Sequence, residues 1–293
     1  MNLTKTCLLV FGILCFATQT HAQLKYGFKT GLNFASINGP SELNDAGESI
    51  ENWKNIVGFH IGVSFANKFT DRFGVRGELL YSKRGGQYDY DGQSYRFFDY
   101  TGGVSYATGN SKYLININNA YIDLPIVAYY KAGDFEFSGG GYLGLLIQSS
   151  GEGSLLFSNG VTENNLPINS TEFFLDYNFR KDKAGEAVEG TETQIVRVDN
   201  RNLELPKTIG AYYDAPEGKD KLFNSLDYGL MAGVSYYLSG ALYVGVRLQY
   251  GLADITNNDS DIAKARTADD KSLLLRDDKD RNFSIQASVG FSF

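Results

Sequence analysis

The sequence predicts an all-β chain: an eight-stranded antiparallel transmembrane β-barrel with short periplasmic turns and long extracellular loops. Three observations carry that expectation. Eight segments alternate apolar with small or polar residues at period two. The connections between them alternate short with long. The polar faces are rich in glycine, where a water-facing strand would carry Lys, Glu and Thr; small residues suit the crowded inside of a narrow barrel. The composition, with 33 Gly, 20 Tyr, 20 Phe and only 5 Pro, agrees.

The N-terminus reads as a secretory signal peptide, residues 1–22. Lys5 supplies the positive end, Cys7 to Ala17 the apolar core, and Thr20-His21-Ala22 a small-residue cleavage site. That core, at about a dozen residues, is too short to span a bilayer as a helix. Cleavage after Ala22 would leave residues 23–293 as the barrel and remove both cysteines, Cys7 and Cys15, excluding disulfides and thiol chemistry. Losing Lys5 takes the net charge from -7 to -8, which argues against nucleic acid as a partner. No later run of about twenty apolar residues exists, so a membrane would be crossed by strands. The expected location is the bacterial outer membrane.

The first strand, Leu24 to Ala35, sets Tyr26, Phe28, Leu32 and Phe34 against Lys25, Gly27, Lys29, Gly31 and Asn33. The second, Ile56 to Ala66, sets Val57, Phe59, Ile61, Val63 and Phe65 against Gly58, His60, Gly62 and Ser64. The third, Phe73 to Lys83, opposes Phe73, Val75, Leu79 and Tyr81 to Gly74, Arg76 and Glu78. In the fourth, Ala120 to Tyr130, Ile122, Leu124, Ile126 and Tyr130 stand opposite Asp123 and Pro125. The fifth runs Phe135 to Gln148, the sixth Leu226 to Leu238, the seventh Ala241 to Leu252. The eighth, Asn282 to Phe293, alternates almost without error and closes on an aromatic residue.

Residues 67–72, 131–134 and 239–240 are short turns; residues 36–55, 84–119, 149–225 and 253–281 are expected to be long surface loops. Alternating patches at Tyr113 to Ile117 and Phe173 to Phe179 suggest that some strands continue above the membrane as hairpins. Aromatic residues cluster at both strand ends, with Tyr26, Phe65, Phe73, Tyr130, Phe135, Tyr236 and Phe293 at one rim and Phe34, Tyr81, Tyr228, Tyr250 and Phe283 toward the other. Two such belts match the two interfaces of a bilayer. A soluble eight-stranded barrel would exchange the faces, and the glycine-rich polar face opposes that.

Inward positions carry four cations, Lys25, Lys29, Arg76 and Arg247, and four acids, Glu78, Asp123, Glu136 and Asp227. Buried charges persist when paired, so these are expected to form a lumen network that plugs the barrel. His60, the one histidine left after cleavage, reads as a lumen hydrogen-bonding residue; an outer-membrane acyl-transfer site would need it open to lipid. Gly139, Gly141 and Gly144 satisfy G-x-G-x-x-G only literally, because they lie inside a strand. Residues 253–281 mix eight aspartates with lysines and arginines and lack the spacing of a calcium loop, so a solvated loop is the reading. One histidine and no cysteine give no support for a metal site.

With the strands placed, the chain resembles the Bacteroidetes outer-membrane β-barrel family that includes PorT. The resemblance lies in Gly27-Phe28-Lys29-Thr30-Gly31-Leu32-Asn33, Gly77-Glu78-Leu79-Leu80-Tyr81-Ser82 and Tyr121-Ile122-Asp123-Leu124-Pro125, followed by Arg247-Leu248-Gln249-Tyr250-Gly251-Leu252 and the last strand. It implies an eight-stranded outer-membrane barrel; PorT itself is associated with protein secretion through a type IX system. The expectation for function is a non-enzymatic barrel with no cofactor, whose loops bind a partner or whose bulk stabilises the membrane. The alternatives are a secretion accessory and a lipid-modifying enzyme. Expected partners are outer-membrane lipid, the barrel assembly machinery reading Phe291 and Phe293 as an insertion signal, and a protein meeting the extracellular loops.

Overall fold

A computed structural model describes residues 24–216 and 221–293; the signal peptide expected at residues 1–22 lies outside them. Eight strands make the wall: β1 (Leu24–Asn38), β2 (Ile56–Lys68), β3 (Phe73–Tyr100), β4 (Gly103–Ala132), β5 (Phe135–Thr162), β6 (Leu226–Tyr237), β7 (Leu242–Gly251) and β8 (Arg281–Ser292). Each pairs antiparallel with the next, and β8 returns to β1 with Phe28 opposite Phe291 and Phe34 opposite Ile285. The ring is therefore closed. Closure is what hydrocarbon demands, since an open edge would leave backbone groups with neither water nor a partner.

Alternation then sorts the side chains. Outward positions of the lower wall are large and apolar, among them Val57 at 62% and Ile126 at 65% exposure. Inward positions, including Asn33, His60, Ser82 and Gln286, are polar and buried. Aromatic pairs Tyr26–Phe65, Phe69–Phe73 and Phe135–Tyr236 ring the short-turn rim at centroid separations of 5.7, 5.9 and 5.0 Å. Glycine is demanded where strands press together: a Cβ on Gly62 would sit 2.0 Å from the Leu79 carbonyl oxygen.

The long connections depart from the sequence reading. Residues 84–119, expected as a loop, are the upper halves of β3 and β4, which join as one hairpin near Tyr100 and Gly103. The expected fourth strand began at Ala120 because a β-bulge between Ala120 and Tyr121 interrupts its alternation there. β5 likewise runs on to Thr162, and strand Thr171–Asn178 folds back along it. Strands Thr193–Val198 and Arg201–Pro206 form a separate hairpin whose turn residues, Asp199 and Asn200, have φ of 48° and 62°, as a two-residue type I′ turn requires. Strand Glu51–Lys54 pairs with β3 at Tyr90 to Gln87. Among the described residues, 253–281 is the long connection that stays largely irregular.

These extensions form a crown in which the polarity of the wall inverts. Above the lumen the inward residues of β3, β4 and β5 become Tyr88, Tyr90, Phe98, Ile115, Ile117, Leu155 and Phe157, which pack with Phe173, Leu175, Val196, Leu203 and Phe223 into one core. Their outward neighbours Asp89, Asp91, Lys112 and Asn116 are polar. The lower half has an apolar outside and a polar inside; the crown has the reverse, the pattern of a water-soluble sandwich. Each of its fully buried aromatic or leucine side chains contributes about 1.5–3 kcal/mol.

Outward positions on the two halves should therefore respond oppositely to charge. Val244→Arg, on the lipid-facing wall, is expected to cost about 2–4 kcal/mol in urea unfolding from lipid vesicles if it sits near the midplane. Leu114→Arg, outward on the crown, should stay within about 0.5 kcal/mol of wild type. Equal costs at the two positions would contradict the boundary.

Candidate functional site: a charged lumen beneath an aromatic crown

Three charge clusters stack along the lumen. At the short-turn end Arg76 of β3 donates to Glu136 of β5, which also accepts the Tyr237 hydroxyl at 3.0 Å and lies 3.7 Å from Lys131. In the middle, Glu78 accepts Arg247 at 2.8 Å and Lys29 at 3.3 Å, and Arg247 Nε donates to Gln286 at 2.9 Å. At the top, Arg84 donates to Asp123 at 2.6 Å and Asp227 at 2.8 Å, with its guanidinium 3.9 Å over the Tyr121 ring. Asp227 also receives Tyr142 at 3.0 Å and Asn282 at 2.9 Å. A Cβ on Gly144 would meet Asp123 Oδ1 at 2.6 Å and Arg84 Nη2 at 2.9 Å, so this cluster fits because β5 has no side chain there.

Seven of the eight inward charges expected from the sequence thus meet a partner of opposite sign. Lys25 does not: it is half-buried at the rim and makes no salt bridge among the described residues. Arg84 takes its place. Sequence reading assigned it to a loop, although its parity continues that of Arg76, Glu78 and Ser82 and could have placed it inside. Phe291 and Phe293 lie exposed on the outer surface at the short-turn rim. The cavity beside Lys29, Glu78, Arg247 and Ser288 measures about 20 Å³, room for roughly one water.

His60 sits between two strands in this lumen. Asn33 donates its amide to Phe59 and Lys83 carbonyls at 3.1 and 2.8 Å, so its Oδ1 is an acceptor. His60 Nδ1 therefore donates to Asn33 Oδ1 at 2.7 Å, and Nε2 accepts the Ser288 hydroxyl at 2.9 Å. Serine, histidine and amide are connected as nucleophile, base and orienting group are in acyl transferases. The adjoining space of about 20 Å³ does not admit an acyl chain, however, and the serine faces the lumen, away from lipid. The arrangement ties β1, β2 and β8 together.

A larger cavity, about 200 Å³, opens in the crown, walled by Trp53, Tyr95, Arg96, Tyr113, Tyr177 and Tyr213 among others. Segment 253–281 closes one side of it. Arg276 anchors that segment with a two-pronged contact to Glu51, at 2.8 and 3.0 Å, and a bond to Asp278 at 2.7 Å. Glu42 accepts the backbone N–H groups of Lys264 and Ala265 at 3.0 and 2.8 Å. This segment was expected to be solvated; these ties fold it onto the crown instead. Asp261, Asp278 and Asp280 bring carboxylate oxygens within 4.8 Å of one another. Arg276 faces Asp261 and Asp278, so the trio is partly neutralised from within. Burial, then the neighbouring Asp278 and Asp261, push the Asp280 carboxyl up to about 7.

Residues 16–257 match the family model described as outer membrane protein beta-barrel domain, and the chain belongs to that family. No curated protein matches it. Among solved structures it is similar to neisserial surface protein A, at 9% identity and a TM-score of 0.35 over 92% of this chain and 97% of that one. It is also similar to OprG from Pseudomonas aeruginosa, at 13% identity and a TM-score of 0.32 over 94% and 98%. A third likeness is the outer membrane protease OmpT from Escherichia coli, at 9% identity and a TM-score of 0.28 over 94% and 99%. A shared barrel is silent on whether a chain is an enzyme.

Asp280 gives the crown a pH dependence. A carboxyl whose folded pKa is raised stabilises fully below its unfolded value, near 4, and loses that contribution as pH rises through about 7. Hydrogen exchange of the Ile255 amide, which donates to the Asp280 carbonyl at 2.9 Å, should therefore become less protected from pH 5 to 8 after correction for intrinsic rate. Asp280→Asn is expected to flatten that profile, and an unchanged slope in the variant would refute the assignment.

Proposed function

We propose that the protein is a non-enzymatic outer-membrane barrel, its lumen closed by its own charged side chains and its extracellular crown the working surface. The observation that carries this reading is the inverted polarity of β3, β4 and β5. A strand needs about 9–11 residues to cross a bilayer, yet β3 continues to Tyr100 and β4 begins at Gly103, above a lumen already filled at Arg84. A folded apolar core on the outer side is not needed for insertion, and it holds the surface positioned for contact.

On this reading the signal peptide is removed after Ala22, the apolar wall meets outer-membrane lipid, and the assembly machinery reads Phe291 and Phe293. A partner from outside meets the crown. A second reading, an accessory of a protein secretion system, is favoured by the PorT-like motifs Gly27–Asn33 and Arg247–Leu252. Co-purification from native membranes separates the two, because an accessory is recovered with secretion components and a free-standing binder is not.

Purified protein in planar bilayers is expected to show no stable, large conductance, only small irregular events. Long-lived, large openings would mean an open lumen. The inward charges would then line a pore, and the protein would be a transporter.

A further inference from the structure

The crown cavity has an aromatic body and a cationic corner. Trp53, Tyr95, Tyr113, Tyr177 and Tyr213 are among the rings that line it. An apolar cavity of about 150 Å³ holds one benzene, so about 200 Å³ holds a single ring bearing a short polar branch. The corner is Arg96, whose side chain is 4% exposed and whose guanidinium lies 4.4 Å from the Phe173 ring centre. One nitrogen, Nη2, donates to Asp214 at 2.8 Å. Its Nε and Nη1 are buried with no hydrogen-bond partner among the described residues. Buried donors left without acceptors are costly, and an entering acceptor removes that cost.

A second cation faces the same space. Lys264 stands 5.0 and 5.9 Å from the ring centres of Tyr88 and Tyr113 and makes no salt bridge among the described residues. The acids on the cavity wall are Asp214, Asp261 and Asp280. Asp214 is bound to Arg96, and Asp261 faces Arg276, which also holds Glu51 and Asp278. The unsatisfied buried donors of this cavity are thus those of Arg96, and Lys264 adds a second positive charge to its wall.

We propose that this cavity binds a small aromatic carboxylate, its ring against the tyrosines and Trp53 and its carboxylate on Arg96 and Lys264. The inference rests on the crown being the working surface and names the ligand class it takes. Charge-assisted bonds from guanidinium to carboxylate are among the strongest available to such a site, and ring stacking supplies the rest.

Trp53 is the chain's only tryptophan and lines the cavity, so it reports occupancy directly. The folded full-length protein in detergent micelles would be titrated with phenylacetate, benzyl alcohol and benzylamine while Trp53 fluorescence is followed. A saturable change is expected with phenylacetate, at least about tenfold tighter than with either analogue. Arg96→Gln should erase that preference, and Lys264→Gln should weaken phenylacetate several-fold, with heat-modifiable gel migration confirming folded barrels. If Arg96→Gln does not fold, Lys264→Gln and the ligand series decide. No saturable response to phenylacetate, benzylamine binding as tightly as phenylacetate, or unchanged affinity in every folded variant would overturn the proposal. A wild-type protein that does not conduct but ignores phenylacetate defeats this inference alone; one that conducts and still binds defeats the closed-lumen reading alone.

Discussion

A buried guanidinium cannot stand alone, because removing an ion from water costs several kcal/mol that only close partners offset. Arg84, 1% exposed, meets that requirement with two aspartates, one from β4 and one from β6, and with the faces of Tyr121 and Tyr142. Asn282 ties β8 to the same group through Asp227. Five strands, β3, β4, β5, β6 and β8, are thereby joined across the lumen at one level. Below that level the inside of the barrel is polar, and above it the inside is an apolar core. The Arg84 cluster is the level at which the polar lumen gives way to the apolar crown.

That arrangement lets one strand serve two solvents. Along β3 the inward side chains run Arg76, Glu78, Leu80, Ser82, Arg84, then Tyr88 and Tyr90, while the outward ones pass from Leu79 and Tyr81 to Gln87 and Asp89. Backbone pairing keeps one register from Phe73 opposite Tyr130 to Tyr100 opposite Gly103, interrupted at Glu78 and Leu79, where β4 carries Leu124 and Pro125. The physical change is in the surroundings, from hydrocarbon, where apolar groups face out, to water, where they face in. A hairpin built this way is anchored in the membrane through its lower half and presents a packed surface at its upper half. The lower half is cross-linked by paired charges and the His60 bonds to Asn33 and Ser288.

Much of the wall was legible in the sequence because alternation, parity of connections and the glycine-rich inner face all report the same constraint. The eight strands, their order and seven inward charges follow from it. Arg84 was not found, because strand ends were read where outward apolar residues stop, at Lys83. Past that point the strand persists while its faces exchange polarity, and Gly85-Gly86 interrupt the pattern. Lys25 has inward parity too, but it lies half-buried at the rim and makes no salt bridge among the described residues. The crown cavity brings together Trp53, Arg96, Tyr113, Tyr177 and Lys264 from distant segments, and no local spacing announces such a site.

The central claim is that the Arg84 cluster joins a charge-paired lumen to a folded crown, and urea unfolding from lipid vesicles tests it most directly. Arg84→Met keeps much of the side-chain volume and leaves Asp123 and Asp227 without their cation. The account expects a loss of about 3–5 kcal/mol, with most of it regained when Asp123→Asn and Asp227→Asn are added in the same chain. If Arg84→Met is as stable as wild type, or if the triple variant loses the three effects additively, the charges at this level are independent and the account is wrong.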